Sequence, residues 1–421
     1  MEKKEFIEFL VEECYSNFPE LVDKFSKENM YKILNNNIKD IRTSDNPHAI
    51  YDGAYSTKTG IIEIYGINDI SLDALKKNIK GVKNTVVHES IHALFKNGVH
   101  NTGCNLVRRG ISIKGFVQDH INYFKSRKTV LEKIKVLTDI PRNGTTLYEQ
   151  GRGLNEGFTE WCTIQCANSS SAYFNEVGII MQLQQFRDEK EILKIGDGNY
   201  KQIANLFNMD YYEFDIFLRQ IDEMLFNEYK IKENRKIQIL KEKKDKGEVI
   251  DISLFDENEI AELTEQGVIK NEKIQLEQID EVYKKNIEPF KNSHKVVATE
   301  IQRKLLEKVI LPGVKNWDSN ERNSKRLLMT HSVVKRCLES CNIEKDDIPE
   351  FKELEEIYKM NINDDKQKIM SKSAIKESFF KSLVNKLVTH KQITLEEVND
   401  CELANEIKLE NNKGDKSIGE Y

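Results

Sequence analysis

The chain has 421 residues, with 64 Lys+Arg against 70 Asp+Glu, a formal net charge of −6 and 39% hydrophobic residues. A single hydrophobic core stops growing at roughly 250–300 residues, so two domains are expected. No apolar run approaches the about 20 residues of a membrane-spanning helix, the N-terminus reads as lacking a signal peptide's apolar segment, and the acidic balance argues against a nucleic-acid binder. A cytoplasmic protein with neither membrane nor nucleic-acid partner is expected.

Charges and glycines are unevenly spread. Residues 1–200 hold 26 basic and 26 acidic side chains, whereas residues 201–421 hold 38 and 44, so the whole excess lies in the second half. Fifteen of the 20 glycines fall before residue 200. In chain order, helices are expected over 3–15 and 19–34, then short strands over 38–42, 54–56 and Ile61–Tyr65, with a turn at Thr57-Lys58-Thr59-Gly60. Ser71 opens a helix and another runs over 82–95. A strand is expected over 105–113, and helices over 116–136, 154–166 and 172–190. The turn-forming cluster Lys194-Ile195-Gly196-Asp197-Gly198-Asn199 marks a boundary. Beyond it, helical patterns cover 211–229, 275–285, 293–310, 320–341, 348–359 and 366–387, and Thr394-Leu395-Glu396-Glu397 is a capping box. Residues 241–246 read as a solvated, charged bend between helices, and 411–421 as a disordered end. The fold class is α+β: a domain over 1–195 with a small sheet and leading helices over 1–36, followed by an all-α accessory domain over 196–421.

Seven cysteines are scattered along the chain. The C-x3-C pairs Cys162/Cys166 and Cys337/Cys341 have no second Cys or His pair nearby, so reduced, buried thiols are expected.

One motif carries chemistry. His88-Glu89-Ser90-Ile91-His92 is H-E-x-x-H on an expected helix, flanked by Val86-Val87 and Ala93-Leu94-Phe95. Histidines four apart share one helix face, so both imidazoles can reach one zinc ion, and Glu89 can then accept a proton from zinc-bound water. By chance the motif would arise in roughly one such chain in a hundred. A zinc site of this type needs a third protein ligand and one open position. The segment Leu154-Asn155-Glu156-Gly157-Phe158-Thr159-Glu160-Trp161 offers Glu156, with Glu149 and Glu160 as rivals. Arg152, between two glycines, reads as a solvent-facing loop residue, and His100 as a turn residue. His120, His294, His331 and His390 are isolated and read as structural or exposed.

Together, the H-E-x-x-H motif and Asn155-Glu156-Gly157-Phe158 resemble the gluzincin superfamily of zinc metallopeptidases, over about residues 38–190. The resemblance implies a zincin-like first domain with Zn2+ held by His88, His92 and Glu156, and with Glu160 holding the far ring N–H of a ligand histidine. It also implies a Tyr or His that stabilises the oxyanion. The sequence offers Tyr148 and Tyr173 for that role. The small sheet would present its last strand, Ile61–Tyr65, as the rim along which an extended peptide pairs. The 64-residue step from His92 to Glu156 is similar to that of branches with a long insertion, and the missing G-x-M-E-N string points away from aminopeptidase activity. The expected function is zinc-dependent hydrolysis of a peptide or protein substrate, by an endopeptidase of restricted specificity with Glu89 as general base. The alternative is a non-catalytic zincin-fold module that binds a partner protein through its acidic helical half, with structural zinc or none.

Overall fold

The computed structural model describes residues 2–44, 52–67, 69–96, 108–111, 147–167, 172–252, 255, 257–271, 273–317 and 321–361. Its helical bulk carries a small three-stranded mixed sheet near the N-terminus, an α+β arrangement. The expected helices over 116–136 and 366–387, the capping box at Thr394 and the 411–421 end lie outside the described residues.

Helix α1 (Lys3–Glu8) runs on into a π-helical turn, Phe9–Cys14, and buries Phe6, Phe9 and Leu10. The helix expected over 19–34 is two helices, α2 (Pro19–Phe25) and α3 (Lys27–Asn37). The break is at Ser26, whose φ of 60° no helix interior accepts, and whose Oγ takes the Asn29 N–H at 3.3 Å to start the new helix. Strands β1 (Asp40–Ser44), β2 (Gly53–Ser56) and β3 (Ile61–Tyr65) lie in the order β1-β3-β2. β1 runs parallel and β2 antiparallel to β3. The last strand is therefore central, and the expectation that Ile61–Tyr65 forms the rim is corrected. With Ile62 and Ile64 wholly buried, it is the strand that gains most from a neighbour on each side. The rim facing the site is β2. Tyr65 N–H reaches Asp52 O at 2.9 Å, so the pairs on either side of Ala54, Gly53 with Ile64 and Tyr55 with Ile62, leave the Gly53 and Tyr55 backbone groups pointing away from β3.

After α4 (Leu72–Lys76), α5 (Val82–Leu94) carries the H-E-x-x-H motif. Every residue of α5 except Lys83 is buried, including the polar face formed by Asn84, Thr85, His88, Glu89 and His92. A side chain at Gly53 would meet Thr85 Cγ2 at 2.6 Å, so glycine is what lets β2 lie against α5. A two-stranded sheet pairs β4 (Arg108–Ile111) with β5 (Leu147–Gln150), and β5 leads into α6 (Arg152–Ala167). Next come α7 (Phe174–Gln184), α8 (Glu189–Ile192), α9 (Tyr200–Leu206) and the long α10 (Tyr211–Glu233). Asp210 opens α10 with a full capping box to Glu213.

The remainder comprises α11 (Arg235–Asp245), α12 (Glu257–Glu265), α13 (Leu276–Asn286), α14 (Glu288–Leu305), α15 (Leu311–Lys315), α16 (Glu321–Ser340) and α17 (Pro349–Asn361). It is not all-α. A hairpin of β6 (Ile269–Lys270) and β7 (Lys273–Ile274) turns at Asn271, whose φ is positive, and seats Ile269 in a small local core. The bend expected over 241–246 is corrected too, because 241–245 are helical. Lys241 pairs with Asp245 one turn on, Lys244 pairs with Asp280, and the chain breaks only at Gly247. One continuous set of buried apolar side chains runs from Phe6 to Leu354, crossing residue 195, while the second set is confined to 237–287. Cys14, Cys162, Cys166 and Cys341 are buried and Cys337 half-buried, none of them in a disulfide. No helix among the described residues is long and apolar enough to cross a membrane.

His331 of α16 stacks on Tyr358 at 4.2 Å and on Phe351 at 5.5 Å, and its Nε2 is buried without a partner. Burial holds its pKa at about 4, against 6.5 for an ordinary histidine. Between these values the unfolded chain binds the extra proton, so the stability contributed by neutral His331 is present above 6.5 and is lost as pH falls towards 4. The loss amounts to at most about 3 kcal/mol. Thermal melts at pH 7 and pH ~4.5 should show wild type losing more Tm than H331F.

Candidate metal centre

The site forms where α5 meets α6. His88 and His92 stand one turn apart on α5, and Glu156 faces them from the second turn of α6. Glu156 Oε2 lies 3.2 Å from His88 Nε2 and 3.2 Å from His92 Nε2. All three residues are largely buried. Their ligand atoms lie within 4.8 Å of one another, so the three could hold a metal ion.

The outer nitrogens of the two rings are also engaged. His88 Nδ1 lies 2.8 Å from Glu160 Oε2, and Glu160 is wholly buried on α6 rather than exposed. A carboxylate only accepts, so the His88 proton sits on Nδ1 and its Nε2 lone pair points at Glu156. Neutral His88 would then oppose lone pair to lone pair. Only a second proton or a cation between the two removes that conflict. His92 Nδ1 is 3.4 Å from both Asn155 Nδ2 and Thr159 Oγ1, while Asn155 Oδ1 is buried without a partner. As placed, Nδ2 donates to the His92 Nδ1 lone pair; with the amide oxygen and nitrogen exchanged, Oδ1 would instead accept a His92 Nδ1–H. Only in that second arrangement does His92 turn a lone pair towards Glu156.

The ionisation pattern follows from these contacts. Burial opposes a charged His88, but the bonds to Glu156 and Glu160 outweigh it and hold its pKa well above the ordinary value. Burial would also raise Glu156, yet His92 and His88 pull it far below the usual carboxylate range. Without a metal, a proton takes the place of the cation. Burial pushes the Glu89 carboxyl up despite both histidines, and Glu89 accepts the outward-pointing Tyr55 backbone N–H from the rim strand.

Tyr173 lies at the start of α7 with a left-handed φ of 58°, unusual for a bulky residue. Its ring stacks on His88 at 5.3 Å and its hydroxyl lies 3.2 Å from that of Tyr229 on α10. Burial, then Glu156 nearby, pushes both tyrosine hydroxyls above their ordinary pKa, so both stay protonated donors at neutral pH. Tyr148 sits on β5 opposite Gly110, and its side chain lies outside the described residues, as does that of Glu149. Arg152 is not a loop residue. It opens α6, with its Nε 3.8 Å from Glu156 Oε1 and its guanidinium 5.7 Å from the Tyr229 ring centre. His294 is paired with Glu228 at 3.2 Å, and His100, His120 and His390 lie outside the described residues.

Two close approaches fix α6. A side chain at Gly157 would meet Glu176 O at 2.5 Å, and one at Gly153 would meet Ile221 O at 2.8 Å, so α6 lies hard against α7 and α10. Sequence reasoning missed the contribution of α10. Asp215 binds Gln150 Nε2 at 2.7 Å, Asp222 caps α6, and Tyr229 meets Tyr173. These residues are seven apart, which keeps them on one face of the helix, and that spacing was the available signal.

No protein-family model, no curated protein and no solved structure matches this chain. The metal-site reading therefore rests on the buried His88, His92 and Glu156 donors.

In chelator competition the wild-type protein should bind one equivalent of divalent metal. H92A and E156A should lose it, and E160Q should weaken it about 10- to 100-fold, the usual effect of freeing a ligand histidine's other nitrogen.

Proposed function

We propose that the chain is a zinc-dependent peptide hydrolase of gluzincin type, an endopeptidase of restricted specificity. The observation that carries this reading is the spacing of the donors. Two ligands at about 2.05 Å from a tetrahedral zinc stand about 3.3 Å apart, and Glu156 Oε2 stands 3.2 Å from each Nε2. The His, His, Glu set is also that of catalytic zinc sites, which keep one position open. Bound zinc would supply Lewis acidity and a more acidic water.

The remaining roles belong to the chain. Glu160 holds the His88 Nδ1–H, and Asn155 holds that of His92, which keeps both Nε2 atoms free to ligate. Glu89, its carboxyl raised by burial and anchored by Tyr55 N–H, takes the proton from the attacking water and passes it to the leaving amine. The Tyr55 carbonyl on β2, which points away from β3, offers pairing to an extended peptide laid past the site. The Tyr173 hydroxyl, backed by Tyr229, donates to the oxyanion that develops at the scissile carbonyl.

E89Q keeps the shape and removes the base. It should retain zinc while its cleavage of a peptide library falls at least about 100-fold. An E89Q protein that cleaves as fast as wild type contradicts the proposal.

A further inference from the structure

Helix α6 carries Glu156, Asn155 and Glu160, yet its own sequence cannot cap it. It starts Gln150-Gly151-Arg152-Gly153-Leu154, with no Ser, Thr, Asp or Asn at the capping position. The first N–H groups of a helix need outside acceptors. Here two acceptors come from one residue of another helix: Asp222 Oδ2 accepts the N–H of Gly151, just before the helix, at 2.7 Å, and Asp222 Oδ1 accepts Gly153 N–H at 2.7 Å.

We propose that Asp222, on α10 in the second half of the chain, is the positioning residue for the metal ligand Glu156. This rests on the reading of His88, His92 and Glu156 as a metal site, and not on the peptidase activity. Two charge-assisted bonds from one carboxylate fix both the height and the rotation of the first turn of α6. The contact is too tight to be rebuilt in another position, since Gly153 already lies against the Ile221 backbone oxygen. Glu156 is three residues past Gly153, less than one helical turn, so a displaced first turn carries the ligand carboxylate with it. Metal sites tolerate displacements of only about 0.5 Å. On either side of Asp222, the Asp215 bond to Gln150 and the Tyr229 contact with Tyr173 hold the same face of α10 against the site.

A merely stabilising role makes a different prediction, and Asp210 provides the control. It caps α10 itself, through Glu213 N–H at 2.8 Å, and its capping box is internal to α10. Zinc affinity of the full chain is measured by chelator competition well below the metal-free Tm of each variant, using wild type, D222N, D222A and D210N. D222A should bind zinc at least about tenfold more weakly than wild type. D222N, which keeps one acceptor, should fall between them. D210N should lower Tm and leave zinc affinity unchanged. If D222A is unfolded, the ordering of D222N against D210N decides. Wild-type affinity in the Asp222 variants, or an equal loss in D210N, overturns the proposal while leaving the metal site standing. A wild-type protein that binds no zinc overturns both.

Discussion

A buried carboxylate oxygen facing the inner ring nitrogens of two imidazoles is the constraint around which the first half is built. Glu156 Oε2 is 3.2 Å from both Nε2 atoms, and Glu160 at 2.8 Å fixes the His88 proton on the far side of its ring. Glu89 adds a third buried carboxylate. Taking such charges out of water costs several kcal/mol each unless opposite charge accompanies them. A proton held on His88 supplies part of it in the metal-free chain, and a divalent cation supplies it without protonating either ring. The arrangement is expensive for a structural core and suited to a metal.

The rest of the fold holds that cluster dry and still. The all-round burial of α5 keeps water from its back. Glycines at 53, 153 and 157 bring β2, α10 and α7 to distances that no side chain permits. The left-handed Tyr173, stacked on His88 and bonded to Tyr229, is held in an unfavourable backbone region by contacts from both halves. The second half is therefore not an appendage as far as the site is concerned, because α10 supplies a wall of it.

The sequence made the site's inner residues legible because their chemistry dictates their spacing. Histidines four apart must share a helix face, and Asn155-Glu156-Gly157 compresses an orienting amide, a carboxylate and a close helix contact into three positions. Parts that depend on tertiary contact were not legible. The imported cap of α6 leaves only an absence in its own sequence, a Gly-Arg-Gly start without a capping side chain. The order of the sheet was misread because periodicity identifies strands without saying which is central. The break at Ser26 was missed because one residue with positive φ leaves the helical pattern on either side intact. Charged residues at 241–245 suggested solvent, yet Lys and Glu are good helix formers and the ion pairs lie along the helix.

The central claim is that one metal sits between His88, His92 and Glu156. Anomalous diffraction at the zinc edge, from crystals of the zinc-loaded protein, tests it most directly. The account predicts a single strong peak at about 2.0–2.2 Å from His88 Nε2, His92 Nε2 and a Glu156 carboxylate oxygen. A peak elsewhere, or a zinc-soaked crystal whose only density between the three side chains is that of hydrogen-bonded protein, would contradict it.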